Sequence, residues 1–224
     1  MPDLICSSLQ GEDLCVPCGL ARLAGTPEGA RLTQRRVQRG EHLYRQEAPF
    51  CAIYAVRAGS FKSLVHGEDG LEQVTGFHVD GDILGLDGLA RQRHASGAVA
   101  LEDAEVLVLP CAETGLHSLL PRLMSRELVR QRERLQVLTG RGAEARVATF
   151  LQDIALRMHA RGYSAREFHL RLSRQEIGSY LGLKLETVSR AFGRLQQQRV
   201  LRAEGRHVQV LDPAALAASC GGHA

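Results

Sequence analysis

The chain has no hydrophobic run near the roughly 20 residues that a membrane-spanning helix needs. Its first residues do not combine a basic start, an apolar centre and a small-residue cleavage site, so they do not predict a secretory signal. Internal repeats and low-complexity segments are also absent, which argues against repeat architectures and long disordered tracts. We therefore expect a globular, cytoplasmic protein with no membrane partner.

Charge is distributed unevenly along the 224 residues, although 28 Lys and Arg nearly balance 25 Asp and Glu. Residues 1–116 contain 10 basic and 16 acidic side chains, whereas residues 117–206 contain 18 basic and 8 acidic ones. This asymmetry favours two domains over one. A basic C-terminal half is typical of a protein that neutralises phosphates, and it indicates a nucleic-acid partner.

Residues 172–206 predict two helices joined by a tight turn and followed by a hairpin. Ser173 and Glu176 have the spacing of a capping box, which begins the first helix. Gly182 supplies the permissive backbone of the turn. The second helix is expected to begin near Lys184, with Leu185, Val188 and Phe192 on its inward face.

The outward face of the second helix carries side chains suited to a DNA groove. Guanidinium groups pair with guanine or phosphate, and a carboxylate accepts from the cytosine amino group. The hairpin, centred on Gly205, forms a wing with arginines available to phosphate. A solvated helix pair in some other bundle is the alternative. The candidate DNA-binding residues are Ser173, Arg174, Lys184, Glu186, Thr187, Ser189, Arg190, Arg194, Arg202 and Arg206.

Between residues 32 and 111, short apolar stretches alternate with turns rich in glycine and aspartate. Four of these stretches predict strands, at residues 54–56, 61–65, 74–77 and 106–109. The N-terminal half is therefore expected to be a small all-β barrel or sandwich.

A long amphipathic helix is predicted from about Ser118 to Gly140, and a second from about Ala143 to Ala160. In the first, spacings of four and three residues are typical of a two-stranded coiled-coil seam. Packing of this helix on its own domain is the alternative, but a palindromic site favours a dimer. The seam residues are Met124, Leu128, Gln131, Leu135 and Leu138.

Three segments together resemble the CRP/FNR superfamily of bacterial transcription regulators, and its oxygen-responsive FNR branch most closely. They are residues 72–85, which contain EQVTGFH and GDILG, residues 145–151, which are ARVATFL, and residues 177–190, which contain IGSYLGL and ETVSR. The resemblance implies an α+β chain with an N-terminal β-roll sensor domain of the cyclic-nucleotide-binding type, a long dimerisation helix and a C-terminal winged helix-turn-helix.

The resemblance also assigns positions and partners. It implies that Glu186, Ser189 and Arg190 bind a TTGAT-like half-site of a palindrome, and that Gly85 and Asp87 contact RNA polymerase. The expected domains are a cysteine-containing segment at 1–20, the β-roll at 21–116, the dimerisation helix at 117–141 and the DNA-binding domain at 142–224.

Superfamily members that bind cyclic AMP hold its phosphate with an Arg-Ser pair just before a strand. The comparable stretch here is His94-Ala95-Ser96-Gly97, which has no arginine at the matching place. Cyclic AMP is therefore not expected as a ligand.

The FNR branch holds a [4Fe-4S] cluster on four thiolates, and this chain departs from its pattern of Cys-x2-Cys-x5-Cys with a later fourth cysteine. Cys6 and Cys15 match the first and third positions, whereas Leu9 and Leu107 stand at the second and fourth. Cys18 and Cys111 lie three and four residues beyond the third and fourth positions, where a relocated cluster would use them in place of the missing pair. Two alternatives stay open, namely a [4Fe-4S] cluster on Cys6, Cys15, Cys18 and Cys111, or ordinary cysteines in a relative that has lost it.

The other two cysteines have simpler interpretations. Cys51 follows Phe50 at the start of a predicted strand, which favours core packing. Cys220 lies in a C-terminal tail that we expect to be disordered.

Three functional hypotheses follow. The leading one is a homodimeric, non-enzymatic transcription regulator that responds to oxygen or redox state through N-terminal cysteines. The second is the same regulator with a cluster-free sensor for haem, nitric oxide or another small effector. The distant third is a thiol oxidoreductase using Cys15 and Cys18, although the predicted elements lack the βαβ context of such enzymes.

Overall fold

The computed structural model describes residues 33–67, 70–110, 120–140 and 142–221. These residues belong to two compact units, the first ending at Leu128 and the second beginning at Val129. Cys6, Cys15, Cys18 and Cys111 lie outside the described residues, as does the whole segment 1–20.

The described residues of the first unit form a β-roll of eight strands in two antiparallel sheets. The strands are β1 Thr33–Val37, β2 His42–Tyr44, β3 Ala52–Ala58, β4 Ser60–His66, β5 Glu72–Val79, β6 Ile83–Leu84, β7 Gly97–Ala100 and β8 Ala104–Pro110. One sheet has the order β1-β8-β3-β6 and the other the order β2-β7-β4-β5. A single 3-10 turn, Leu86–Gly88, follows β6.

The core of the β-roll lies between the two sheets, with a second apolar cluster on the outer face of one of them. Phe61 and Val56 are fully buried between the sheets. Ile53 and Leu109 lie in the second cluster, where they pack with Leu123. Burial on both faces explains why β3 and β8 are almost continuously apolar.

All four strands predicted for this unit are confirmed, as β3, β4, β5 and β8. The sequence did not reveal the other four, which are short or polar. β2, β6 and β7 have three, two and four residues, and β1 is Thr-Gln-Arg-Arg-Val. The prediction that Cys51 packs in the core is wrong. Cys51 precedes β3 and is exposed, with its Sγ 3.8 Å from the Pro49 carbonyl oxygen.

Helix α1, Leu120–Gly140, begins in the first unit and continues into the second. The second unit then contains α2 Ala143–His159, β9 Glu167–His169, α3 Arg174–Leu181, α4 Leu185–Gln197, β10 Leu201–Glu204, β11 His207–Val210 and α5 Pro213–Ser219. Its strands form one antiparallel sheet with the order β10-β11-β9. We call the β10–β11 hairpin the wing.

The interior of the second unit is formed mainly by α2, α3 and α4. Leu151, Ile177, Val188 and Leu195 are almost completely buried. The expected disorder at Cys220 is wrong, because this residue caps α5 and is buried, with its Sγ 3.0 Å from Oε1 of Gln152 in α2.

The architecture is therefore the predicted one, an N-terminal β-roll, a long helix and a C-terminal winged helix-turn-helix. Among the described residues, no helix is both long enough and apolar enough to cross a membrane.

Candidate DNA-binding surface

The first helix of the helix-turn-helix begins with the predicted capping box. The Ser173 hydroxyl accepts a hydrogen bond from the Glu176 amide at 3.2 Å, and the Glu176 carboxylate accepts one from the Ser173 amide at 2.7 Å. The two otherwise unpaired amides at the start of α3 are thereby satisfied. Ser173 was predicted to contact DNA, and in the structure its hydroxyl is engaged in this cap.

The turn between α3 and α4 depends on two glycines. Gly182 ends α3 in the left-handed region, with φ 63° and ψ 39°. Gly178, one turn earlier, lies so close to the following loop that a Cβ there would be 2.6 Å from the Leu183 carbonyl oxygen. The sequence revealed the role of Gly182 but gave no signal for Gly178.

Helix α4 buries one face and exposes the other. Val188, Ala191, Phe192 and Leu195 are buried. The prediction that Leu185 packs inward is wrong, because 45% of its surface is exposed. Leu185 is the first residue of the helix, where the described part of the unit does not fully cover the inward side.

The exposed face of α4 brings together the residues predicted to contact bases. Glu186, Ser189 and Arg190 are exposed, and Thr187 is half-buried. Glu186 and Arg190 are one helical turn apart, so they lie side by side on this face. Arg190 is held loosely, with its Nη2 3.4 Å from the Thr187 Oγ1. Lys184, also exposed, is the N-cap residue of α4.

Two other predicted arginines pair with carboxylates of the same unit. Arg194 lies on the flank of α4, 3.6 Å from the Glu144 carboxylate of α2. Arg202 donates two hydrogen bonds to one oxygen of Glu204, at 2.9 and 2.6 Å, within the wing. Both arginines are exposed, and so is Glu204, whereas Glu144 is half-buried. Ion pairs reached by solvent in this way are weak.

Arg174 serves the packing of the unit. Its guanidinium carbon lies 3.3 Å from the centre of the Phe192 ring, and its Nη2 lies 3.4 Å from the Gly205 carbonyl oxygen in the wing. Burial lowers the pKa of Arg174 to about 10, so the side chain stays cationic near neutral pH. Arg174 therefore connects α3, α4 and the wing, a role that the sequence did not reveal.

Arg206 occupies the turn of the wing. The side chain is exposed, and within the described residues it forms no hydrogen bond or ion pair. Its carbonyl oxygen accepts a hydrogen bond from the Leu170 amide at 2.8 Å, which fixes the turn against the loop before α3.

Comparison with protein families supports this geometry. Residues 145–219 match the Crp-like helix-turn-helix domain, and residues 34–114 match the cyclic nucleotide-binding domain. The chain is 43% identical to the transcriptional regulatory protein Btr of Bordetella pertussis over 216 residues, 92% of this chain and 89% of Btr. The chain belongs to the CRP/FNR family. It is thus a DNA-binding transcription regulator, near the FNR branch of that family.

Further relatives of this CRP/FNR regulator carry names from the same branch. It is 41% identical over 196 residues to the transcriptional activator Anr of Pseudomonas protegens, covering 84% of this chain and 80% of Anr. It is 34% identical over 221 residues to the fumarate and nitrate reduction regulatory protein of Vibrio cholerae, covering 94% and 88%. The solved structure of FixK2 from Bradyrhizobium japonicum superposes with a TM-score of 0.77 at 29% identity, covering 86% of this chain and 99% of FixK2.

The other predicted site residues of this CRP/FNR regulator, for polymerase contact and for the dimer interface, lie in the first unit and in α1. Gly85 is buried with φ 91°, and Asp87 directs its carboxylate toward Ser96. On α1, the predicted seam residues Met124, Leu128, Gln131 and Leu135 are exposed and Leu138 is half-buried. Among the described residues, no group of three His, Cys, Asp or Glu side chains could hold a metal ion.

Proposed function

We propose that this regulator binds a TTGAT-like palindrome as a homodimer and responds to oxygen or redox state through cysteine thiols. The observation that carries the DNA part is the face of α4, where Glu186, Ser189 and Arg190 are exposed together. A carboxylate, a hydroxyl and a guanidinium can accept from cytosine and donate to guanine within one half-site. Lys184, Arg206 and the displaceable Arg194 and Arg202 would then bind phosphates.

The dimer part is supported by α1. Apolar side chains at Met124, Leu128 and Leu135 follow the spacing of a coiled-coil seam and are exposed in the single chain. A partner helix would cover them and place two recognition helices one DNA turn apart. Contact with RNA polymerase at Gly85 and Asp87 has less support, because Gly85 is buried and the Asp87 carboxylate is engaged by Ser96.

DNA binding is tested by replacing Arg190. We expect Arg190→Ala to lose about 1–3 kcal/mol of discrimination between the palindrome and a base-substituted site, since one guanidinium–base contact carries that much. Binding is measured by gel shift on both DNAs at one salt concentration. Arg36→Ala, which removes an exposed arginine of β1, is the matched control for the change in net charge. Equal weakening on both DNAs would instead assign Arg190 to phosphate.

The redox part is proposed for the thiols of Cys6, Cys15, Cys18 and Cys111, for which a [4Fe-4S] cluster is the cofactor suggested by the FNR relatives. The FNR arrangement itself does not fit this chain. At the fourth family position Leu107 is buried in β8 and packs with Ile53 and Leu109, so no ligand is available there.

The buried Leu107 favours a second candidate, a regulator with a cluster-free sensor for haem, nitric oxide or another small effector. The two are separated by an absorbance spectrum with iron and sulfide assays on protein purified without oxygen, before and after exposure to air. A visible band that bleaches in air, with iron and sulfide present, supports the thiol-bound cluster. Colourless, iron-free protein that still binds the palindrome supports the second candidate. Both candidates imply a cytoplasmic protein without enzymatic activity. A thiol oxidoreductase would instead bind DNA without sequence preference.

A further inference from the structure

The Asp87 carboxylate collects three hydrogen-bond donors inside the β-roll. Asp87 lies in the 3-10 turn, and Ser96 immediately precedes β7. One Asp87 oxygen accepts from both the amide and the hydroxyl of Ser96, each at 2.9 Å. The other lies 3.4 Å from Nδ1 of His94. The carboxylate therefore connects the turn to the start of a central strand.

His94 is oriented by the same carboxylate. The side chain is 1% exposed, and its ring stacks on Tyr44 with centroids 3.8 Å apart. Phe50 contacts the ring edge-on at 5.5 Å. Nε2 of His94 is buried without a hydrogen-bond partner among the described residues. An ionised carboxylate can only accept, so this contact is a hydrogen bond in the tautomer that carries its proton on Nδ1.

On its inner side, the 3-10 turn is packed closely against its neighbours. A Cβ at Gly88 would lie 2.5 Å from the Phe50 ring, and a Cβ at Gly85 would lie 3.1 Å from the Ala52 carbonyl oxygen. The turn is thus packed directly against the aromatic cluster. The Asp87 side chain remains 26% exposed and Ser96 is half-buried, so the carboxylate borders solvent on this side.

We propose that Ser96 and His94 form an oxyanion cradle and that Asp87 fills it as an internal ligand. An external carboxylate or phosphate group would need the same N–H and O–H donors. While Asp87 occupies them, its negative charge also repels that anion. These residues lie within the match to the cyclic nucleotide-binding domain. In this proposal, the β-roll keeps the cradle closed with its own side chain.

The proposal goes beyond the proposed function, since it involves neither the N-terminal cysteines nor DNA. It makes a direct prediction for the unmodified protein. In a titration with inorganic phosphate or formate, the backbone amide resonance of Ser96 should not shift in a saturable way. A saturable shift in the unmodified protein would show that the cradle is empty and would overturn the proposal.

The second experiment removes the Asp87 carboxylate from the cradle. We expect Asp87→Ala to unfold at a lower temperature in calorimetry, and formate at constant ionic strength to raise that temperature saturably by roughly 4–8 °C, as recovery of about one hydrogen bond would in a domain of this size. The additional change Ser96→Ala should remove most of this rescue, because it deletes one donor. Asp103→Ala is the matched control, since Asp103 is an exposed carboxylate that accepts from the Arg39 amide at 2.9 Å.

The outcomes are distinct. Rescue of Asp87→Ala but not of Asp103→Ala or the unmodified protein supports the cradle. Folded Asp87→Ala without a saturable response to formate overturns it. If Asp87→Ala does not fold, a saturable shift in the unmodified protein still overturns the proposal.

Discussion

Gly178 and Gly193 lie on the two helices of the helix-turn-helix, and the space beside them differs. A Cβ at Gly178 would meet the Leu183 carbonyl oxygen at 2.6 Å, whereas a Cβ at Gly193 would meet nothing within 4 Å. The same glycine-to-alanine change therefore has opposite effects at the two positions. At Gly178 it forces the turn open, and at Gly193 it only restricts the unfolded chain.

We expect Gly178→Ala to lower the free energy of unfolding by about 1–3 kcal/mol, as overpacking generally does. Gly193→Ala, the matched control, should raise it by about 0.5–1 kcal/mol. Urea unfolding followed by circular dichroism measures both changes. If Gly178→Ala proved as stable as the unmodified protein, the Leu183 carbonyl would have to move at no cost.

At this scale, the sequence predicts features that depend on neighbours along the chain. The capping box of Ser173 and the turn at Gly182 follow from local spacing and are confirmed. Leu185 and Cys51 were assigned inward from apolar character alone, and both are exposed. Whether another element covers a side chain at the end of a helix or strand is decided by tertiary packing, which local pattern does not contain.

Helix α1 shows the same limit for whole elements. Its existence and its end at Gly140 were predicted from periodicity, but the contacts of Arg134 were not. The Arg134 guanidinium lies 4.6 Å from the centre of the Tyr180 ring, and its Nη2 lies 3.4 Å from the Tyr180 carbonyl oxygen. Burial lowers the pKa of Arg134 and raises that of Tyr180. The second half of α1 is thereby attached to α3.

Removing the contact between Arg134 and Tyr180 should lower the stability of the second unit without removing a proposed DNA contact. We expect Arg134→Ala to lower the free energy of unfolding by about 0.5–2 kcal/mol, the range of a partly desolvated cation–π contact. Arg132→Ala, which changes an exposed arginine of the same helix, should have little effect. Equal unfolding curves for the two variants in urea would show that the Tyr180 contact contributes nothing.

At the scale of the whole molecule, the proposed dimer depends on the exposed face of α1. Leu128 and Val129 are 69% and 53% exposed, but only Leu128 belongs to the predicted seam. We expect Leu128→Asp to shift the protein toward monomer in sedimentation and to reduce its affinity for the palindrome, because a carboxylate would be buried between the helices. Val129→Asp makes the same chemical change off the seam and should stay dimeric. A monomeric unmodified protein would remove the dimer from the proposal.

Two ion pairs of the DNA-binding unit, Arg194–Glu144 and Arg202–Glu204, affect how its affinity for DNA depends on salt concentration. Protein–DNA affinity falls with salt because each new arginine–phosphate contact releases small cations condensed on the duplex. In the free protein, Arg194 pairs with Glu144 and Arg202 pairs with Glu204. Because each arginine must give up this ion pair to bind a phosphate, the net binding free energy of the phosphate contact is smaller. The carboxylates of Glu144 and Glu204 thus act as counterions that belong to the protein itself. The affinity of the protein for non-specific DNA should therefore be lower, and less sensitive to ionic strength, than its number of arginines suggests.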